Sequence, residues 1–210
     1  MVESYLRQSP LAHLGLAGRA ADGLGEAGVA MAERPLPGIV DLRGKRGDKA
    51  FLDGFQKAAG YALPLEAGTT AGSGNTTALW LGPDEWWIVA AKPGADAGPR
   101  IAETLGAELA GQVCAITDVS ESRACIRLSG PKARTLLQKG CPLDLHPRAF
   151  AAGRCAQSRL AKATAVIHLT ADKSADGSIF DLYVVRSFAE YVWHWLEDAG
   201  GEFGVVVLAE

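Results

Sequence analysis

Four cysteines and four histidines are the residues of this chain best suited to binding a metal or attacking a substrate. Cys114, Cys125, Cys141 and Cys155 lie 11, 16 and 14 residues apart. There is no CxxC and no Cys/His pair at metal-ligand spacing, so no metal site is expected. His13, His146, His168 and His194 are scattered and form no HExxH. Buried reduced thiols and ordinary histidines are the reading these positions support. No GxSxG, SxxK or activated Cys–His signature occurs, and scattered Ser, His and Asp define no triad. The carboxylates show no spacing that selects a general acid/base pair. No catalytic residue is expected.

Two glycine-rich stretches could cradle a phosphate. Gly23-Leu24-Gly25-Glu26-Ala27-Gly28 matches GxGxxG, but the residues before it are no strand. The segment after it meets Pro35 too soon for the required helix, so dinucleotide binding is not expected. Gly72-Ser73-Gly74-Asn75-Thr76-Thr77 lacks the Gly-Lys-Ser/Thr of a phosphate loop and reads as a turn into a strand. The patch Arg43, Lys45, Arg46, Lys49 reads as a solvated basic turn.

The 210 residues are 48% hydrophobic and 21% charged, ordinary values for a folded chain. A formal net charge of −3 gives no electrostatic case for nucleic acid. No apolar run approaches the roughly 20 residues that span a bilayer, so no membrane partner is expected. The N-terminus has no continuous apolar core of a signal peptide, and a cytoplasmic location is expected.

The elements follow from periodicity. Residues 1–28 read as an arm. Val29–Glu33 and Gly38–Arg43 are short strands joined through Pro35 and Pro37. Asp48 caps a helix with Phe51, Leu52, Phe55, Ala58 and Ala59 on one face, closed by Gly60. Thr77–Leu81 and Trp86–Ala91 flank a Gly-Pro-Asp-Glu turn. A helix from near Asp96 aligns Ile101, Leu105 and Leu109, and Val113–Val119 is a strand. In Arg123–Leu128, Ala124, Ile126 and Leu128 alternate with Arg123, Cys125 and Arg127. Gly130-Pro131 turns the chain into a helix carrying Ala133, Leu136 and Leu137, stopped by Gly140 in the left-handed conformation.

Arg154–Leu169 is extended, Ala171–Ser178 is a polar hairpin loop with the turn pair Asp176-Gly177, and Ile179–Arg186 is a strand. Ser187 and Glu190 form a capping box for a helix whose stripe is Phe188, Tyr191, Val192, Trp195, Leu196 and Ala199. Val205–Leu208 is a last strand. Strict βα alternation is absent, so the fold class expected is α+β: antiparallel sheets with helices packed on them. The organisation expected is an arm (1–28) and two interlocked halves, 29–115 and 116–210, in one compact unit. Trp80, Trp86 and Trp87 fall on both faces of their strand pair, and Trp193 falls off its helix stripe. These four are the expected partner-interface residues, since tryptophan is enriched at interfaces.

Several motifs carry a resemblance. Leu42-Arg43-Gly44, WLGPDEWW at 80–87, LSGPKARTLLQKGCPLDL at 128–145 and YVVRSFAEYVWHWLEDAG at 183–200 resemble the gamma subunit of bacterial heterotetrameric sarcosine oxidase. Ser9-Pro10-Leu11-Ala12 resembles that family's N-terminal arm. The resemblance implies a complex with alpha, beta and delta subunits that oxidatively demethylates sarcosine to glycine. Oxygen is reduced to hydrogen peroxide, and tetrahydrofolate takes up the one-carbon unit as methylenetetrahydrofolate. It places FAD, FMN and NAD on the alpha and beta subunits and zinc on delta, with no cofactor on this chain. The second half is similar, more distantly, to the folate-binding domain of glycine-cleavage aminomethyltransferases, through Asp118-Val119-Ser120, Gly130-Pro131 and Gly177–Leu182. That family carries two adjacent acids where this chain has Phe180-Asp181, so Asp181 is a vestigial folate-type position. Phe180 shares a face with Leu182 and Val184 and is expected in the core. The function implied is a non-catalytic scaffold subunit. The alternatives are a folate-binding module and a stand-alone aminomethyltransferase-like protein.

Overall fold

The structure is a computed structural model and describes residues 7–173 and 177–209. In chain order the first elements are α1 (Leu16–Arg19), β1 (Ala20–Ala21), β2 (Val29–Arg34), β3 (Ile39–Gly44), α2 (Lys49–Ala59) and β4 (Thr70–Gly72). Next come β5 (Thr76–Gly82), β6 (Glu85–Ala90), α3 (Ala97–Glu108), β7 (Cys114–Asp118), β8 (Arg123–Gly130) and α4 (Ala133–Gln138). The chain closes with β9 (Arg154–Leu160), β10 (Ala163–Lys173), β11 (Gly177–Val185), α5 (Ala189–Gly200) and β12 (Val205–Leu208). The strands form a five-stranded sheet, β4-β5-β6-β3-β7, and a seven-stranded sheet, β1-β12-β2-β8-β11-β10-β9. The class is α+β, as the sequence leads one to expect. Among the described residues the parallel pairings lie at one edge of the larger sheet, β1 with β12 and β12 with β2.

The chain divides into two compact units: Leu36–Ser122 with Arg7, and Gln8–Pro35 with Arg123 onward. These bounds differ from those read in the sequence. β2 belongs to the sheet of the second unit, and a break at 115/116 would cut β7 in two. The two strands read at 29–33 and 38–43 do not pair with each other: β2 pairs with β8 and β12, β3 with β6 and β7. Proline fixes φ and removes a donor, and between Pro35 and Pro37 Leu36 adopts φ 49°. This linker carries the chain out of one sheet instead of folding it back.

In the first unit, helix α2 is built as its sequence dictates. The Asp48 carboxylate accepts from the N–H groups of Ala50 (3.0 Å) and Phe51 (3.4 Å), satisfying donors that a helix start leaves open. Phe51 and Phe55 are buried against Val40, Leu42 and Trp86 of the sheet. In the second unit, the alternation of β8 and β11 sends Ile126, Leu128, Phe180, Leu182 and Val184 into one core with Leu136 and Leu137 of α4. Phe180 is fully buried there, as expected. Burying each such side chain contributes about 1.5–3 kcal/mol, which is why the phase of every strand is fixed.

Five local expectations are corrected. Gly140 is not left-handed, and the cap residue Lys139 is right-handed helical. Glycine is needed at 140 for space: a Cβ would lie 2.5 Å from Trp195 Cζ2. Arg154–Leu169 is a hairpin, with Ala161 (φ 53°) turning β9 into β10. The hairpin loop at 171–178 is shorter than expected, because β10 and β11 pair as far as Lys173 and Gly177; the turn residue Asp176 lies outside the described residues. No side chain caps α5, because a short 3-10 turn over Arg186–Phe188 precedes it. The buried face of that helix is Ala189, Val192, Trp193, Leu196 and Gly200, leaving Phe188 and Tyr191 43% and 37% exposed.

Candidate functional site on the seven-stranded sheet

Register alone brings the chemistry-bearing residues of the second unit together. Arg127 on β8 is paired with Asp181 on β11, and Asp181 with His168 on β10. Directly opposed residues share a face, so these three form a row across adjacent strands, away from the core that holds Phe180. Arg34, at the end of β2, reaches the same carboxylate. Arg127 donates from Nε to Asp181 Oδ1 (2.8 Å) and from Nη2 to Oδ2 (3.0 Å). Arg34 Nη1 donates to Oδ2 at 2.9 Å. The paired fork geometry on a carboxylate is the strong form of this contact.

Asp181 is 2% exposed, with both oxygens held. His168 is 8% exposed. Burial, with a further push from Arg127 and Arg34, lowers its pKa to about 4 against the pull of Asp181. At neutral pH the imidazole is uncharged and a weak base. Burial also lifts the Tyr183 hydroxyl well above its ordinary value. The cluster therefore holds two guanidinium charges against one carboxylate. Its bonds brace β2, β8 and β11 against one another.

A second brace, missed at the sequence level, centres on Arg134 of α4. Its Nε donates to Ser178 Oγ (2.8 Å), Nη2 to Asp172 Oδ2 (2.7 Å), and Nη1 to the carbonyls of Leu145 and Phe150. Ser178 Oγ also donates to Asp172 Oδ1 at 2.7 Å. Desolvation opposes the charge on Asp172, but the bonds from Ser178 and Arg134 prevail and hold its carboxyl below the ordinary range. Helix α4, the loop after it and the β10–β11 hairpin are thereby fastened at one point. Arginine on a glycine-proline helix start looks like any solvated helix residue, so only the long-range partners reveal it.

The remaining expected site residues stand apart. Trp86 and Trp193 are fully buried and Trp87 is 5% exposed, so these three present no surface to a partner, contrary to expectation. Trp86 donates from Nε1 to the Pro64 carbonyl (2.8 Å) and packs near Phe51. Trp193 lies in the second core because α5 is rotated from the stripe read in the sequence. Trp80 is half-buried against the first core. The exposed aromatic pair is instead Phe188 and Tyr191, edge to face at 6.5 Å. Both helix phases are periodic in the sequence, and the small residues Ala189 and Gly200 are the signal for the one adopted.

In the basic patch, Arg43 is paired with Asp41 (3.0 Å) and Glu85 (2.9 Å), and Lys49 with Asp53. The four cysteines are unbridged, three of them buried. Among the described residues no group of three or more His, Cys, Asp or Glu could hold a metal ion. No helix among them is long and apolar enough to cross a membrane.

Comparison with known proteins bears on the resemblance directly. A family model described as sarcosine oxidase, gamma subunit family, matches residues 43–202. Sarcosine oxidase subunit gamma of Corynebacterium sp. (strain U-96) is 35% identical over 211 residues, covering 100% of this chain and 98% of the relative. The Arthrobacter sp. subunit is 35% identical over 213 residues, with the same coverage. A chain of the heterotetrameric sarcosine oxidase from Corynebacterium sp. U-96, solved in complex with pyrrole 2-carboxylate, superposes with a TM-score of 0.82. That chain is 34% identical, with 94% of this chain and 96% of that one covered. The glycine cleavage system aminomethyltransferase T of Bartonella henselae shares the fold at a TM-score of 0.69 and 16% identity, over 97% of this chain and 59% of that one. The motifs at 42–44, 80–87, 128–145 and 183–200 are thus those of a full-length relationship, and the chain belongs to the sarcosine oxidase gamma subunit family.

Proposed function

We propose that this chain is the gamma subunit of a heterotetrameric sarcosine oxidase in the cytoplasm and acts as a scaffold without catalytic residues of its own. In this reading, oxidative demethylation of sarcosine to glycine, with hydrogen peroxide and methylenetetrahydrofolate as the other products, takes place on alpha and beta subunits carrying FAD, FMN and NAD. A delta subunit completes the complex. The observation that carries the scaffold role is Asp181. Its carboxylate is 2% exposed and already held by Arg34 and Arg127, so a pterin ring does not fit onto it. Phe180, where the resemblance would put the neighbouring acid, fills the core. A group that braces three strands from inside stabilises a surface, and a surface is what a scaffold contributes.

The test is co-expression of the other subunits with and without this chain. The expected result is loss of assembled complex, flavin content and sarcosine-dependent peroxide formation in its absence. Full activity without the chain would overturn the reading. The shared aminomethyltransferase fold favours one other reading, a folate-binding module. Calorimetric titration with tetrahydrofolate decides between them, since binding that Asp181→Ala abolishes would establish a retained site.

A further inference from the structure

Charge is unevenly spread along this chain. Of its 21 Lys and Arg, nine lie between Arg123 and Ala171; of its 24 Asp and Glu, Asp144 alone does. The remaining residues hold 12 basic and 23 acidic groups. Part of the positive block is neutralised within the second unit: Arg127 by Asp181, Arg134 by Asp172 and Lys139 by Glu202. Arg159 and Lys162 are exposed, and neither is ion-paired with an acid among the described residues.

The fold brings these two cations to one place. Arg159 is the last but one residue of β9, the edge strand of the larger sheet, and Lys162 sits in the β9–β10 turn. The Ala161 N–H donates to the Gly140 carbonyl (2.9 Å), and the Lys162 N–H to Tyr191 Oη (3.3 Å). The turn is therefore fixed against the end of α4 and against α5. An open cleft of about 350 Å³ lies there, lined by Lys139, Cys141, Pro142, Arg159 and neighbours, with no acidic residue among them. Tyr191, whose hydroxyl accepts from the Lys162 N–H of the same turn, packs edge to face on Phe188, and both rings are exposed. Exposed aromatics suit an interface core, and an unbalanced positive patch steers an anionic partner.

We propose that this end of the second unit, with Arg159, Lys162, Phe188 and Tyr191, docks an acidic segment of a partner subunit. The proposal rests on the subunit reading above and names the surface it uses. A nucleic acid would have to approach a chain whose net charge is −3 and whose other residues are strongly acidic.

The experiment measures the apparent dissociation constant of the full chain for the co-purified partner subunits, by sedimentation at stepped salt concentrations. Arg159→Glu with Lys162→Glu should weaken binding about tenfold or more at low salt and flatten its salt dependence. Phe188→Ala with Tyr191→Ala should weaken binding without that flattening. Lys45→Glu with Arg46→Glu, an equal reversal on the first unit, should change nothing. If the double reversal melts below wild type, Arg159→Gln with Lys162→Gln takes its place. Unchanged affinity and salt dependence in the folded variants overturns the proposal and leaves the subunit reading standing. A wild-type chain that binds no partner subunit overturns both. Homodimers broken by the reversal, or an oligonucleotide held by the same residues in place of a subunit, would assign the face to another occupant and overturn the proposal as well.

Discussion

His168 and Asp181 face each other across β10 and β11, and both are buried. Two guanidinium groups meet the Asp181 carboxylate; His168 gives its charge up, its pKa pushed down mainly by burial to about 4. In the unfolded chain the imidazole titrates near 6.5. Between these values the unfolded state binds the extra proton, so folding stability falls as pH drops from 6.5 towards 4 and does not depend on this group above that window. A separation of this size corresponds to about 3 kcal/mol at the acid end. His168→Gln should therefore lose less stability than wild type between pH 7 and pH 4, by about that amount, in urea titrations at stepped pH. Parallel profiles for the two proteins would refute a buried neutral histidine. Asp181 and Phe180 could be singled out in the sequence because they sit in a recognisable motif. Their partners could not: Arg127 lies 54 residues from Asp181 and Arg34 lies 147 away. Pairing across such distances is set by sheet order, which single-residue chemistry does not contain.

Local elements are legible wherever their signals are local. Asp48 before an apolar stripe and Gly60 after it define α2 completely, and the structure adds only the distances. The strands of β8 and β11 likewise follow from alternation. Helix α5 shows where such reasoning stops. Its aromatic residues support two stripes one residue out of phase, and packing against α4 and the larger sheet chooses the one with Trp193 inside. The choice has a measurable consequence. Trp193→Ala should cost about 3–5 kcal/mol, as expected for truncating a buried aromatic side chain. Tyr191→Ala, at 37% exposure, should stay within about 1 kcal/mol. Chemical denaturation of the two variants checks this directly, and the reverse order would restore the phase read from the sequence.

The least legible level is the path of the chain between sheets. The sequence presents β2 and β3 as neighbours, yet they belong to different units. Residues 36–122 interrupt the second unit between β2 and β8, two antiparallel strands that pair with each other, Arg34 opposite Cys125. A loop inserted between adjacent strand ends closes at little entropic cost, however long it is. The inserted unit closes on itself in the same way, through the pairing of Val40 with Asp118 on β3 and β7. Among the described residues the buried members of each core cluster come from one unit. One is built from residues between Val40 and Leu109; the other runs from Leu11 to Met31 and from Ala124 to Val207. Replacing residues 36–122 with a short glycine-containing turn should therefore convert β2 and β8 into an ordinary hairpin and leave the second core complete. Trp80, Trp86 and Trp87 leave with the excised segment, so Trp193 and Trp195 become the fluorescence reporters of what remains. The expected outcome is a cooperative urea transition with those two indoles shielded in the native state. A non-cooperative transition, or indoles as exposed before it as after, would mean that the second unit depends on the first for its own packing.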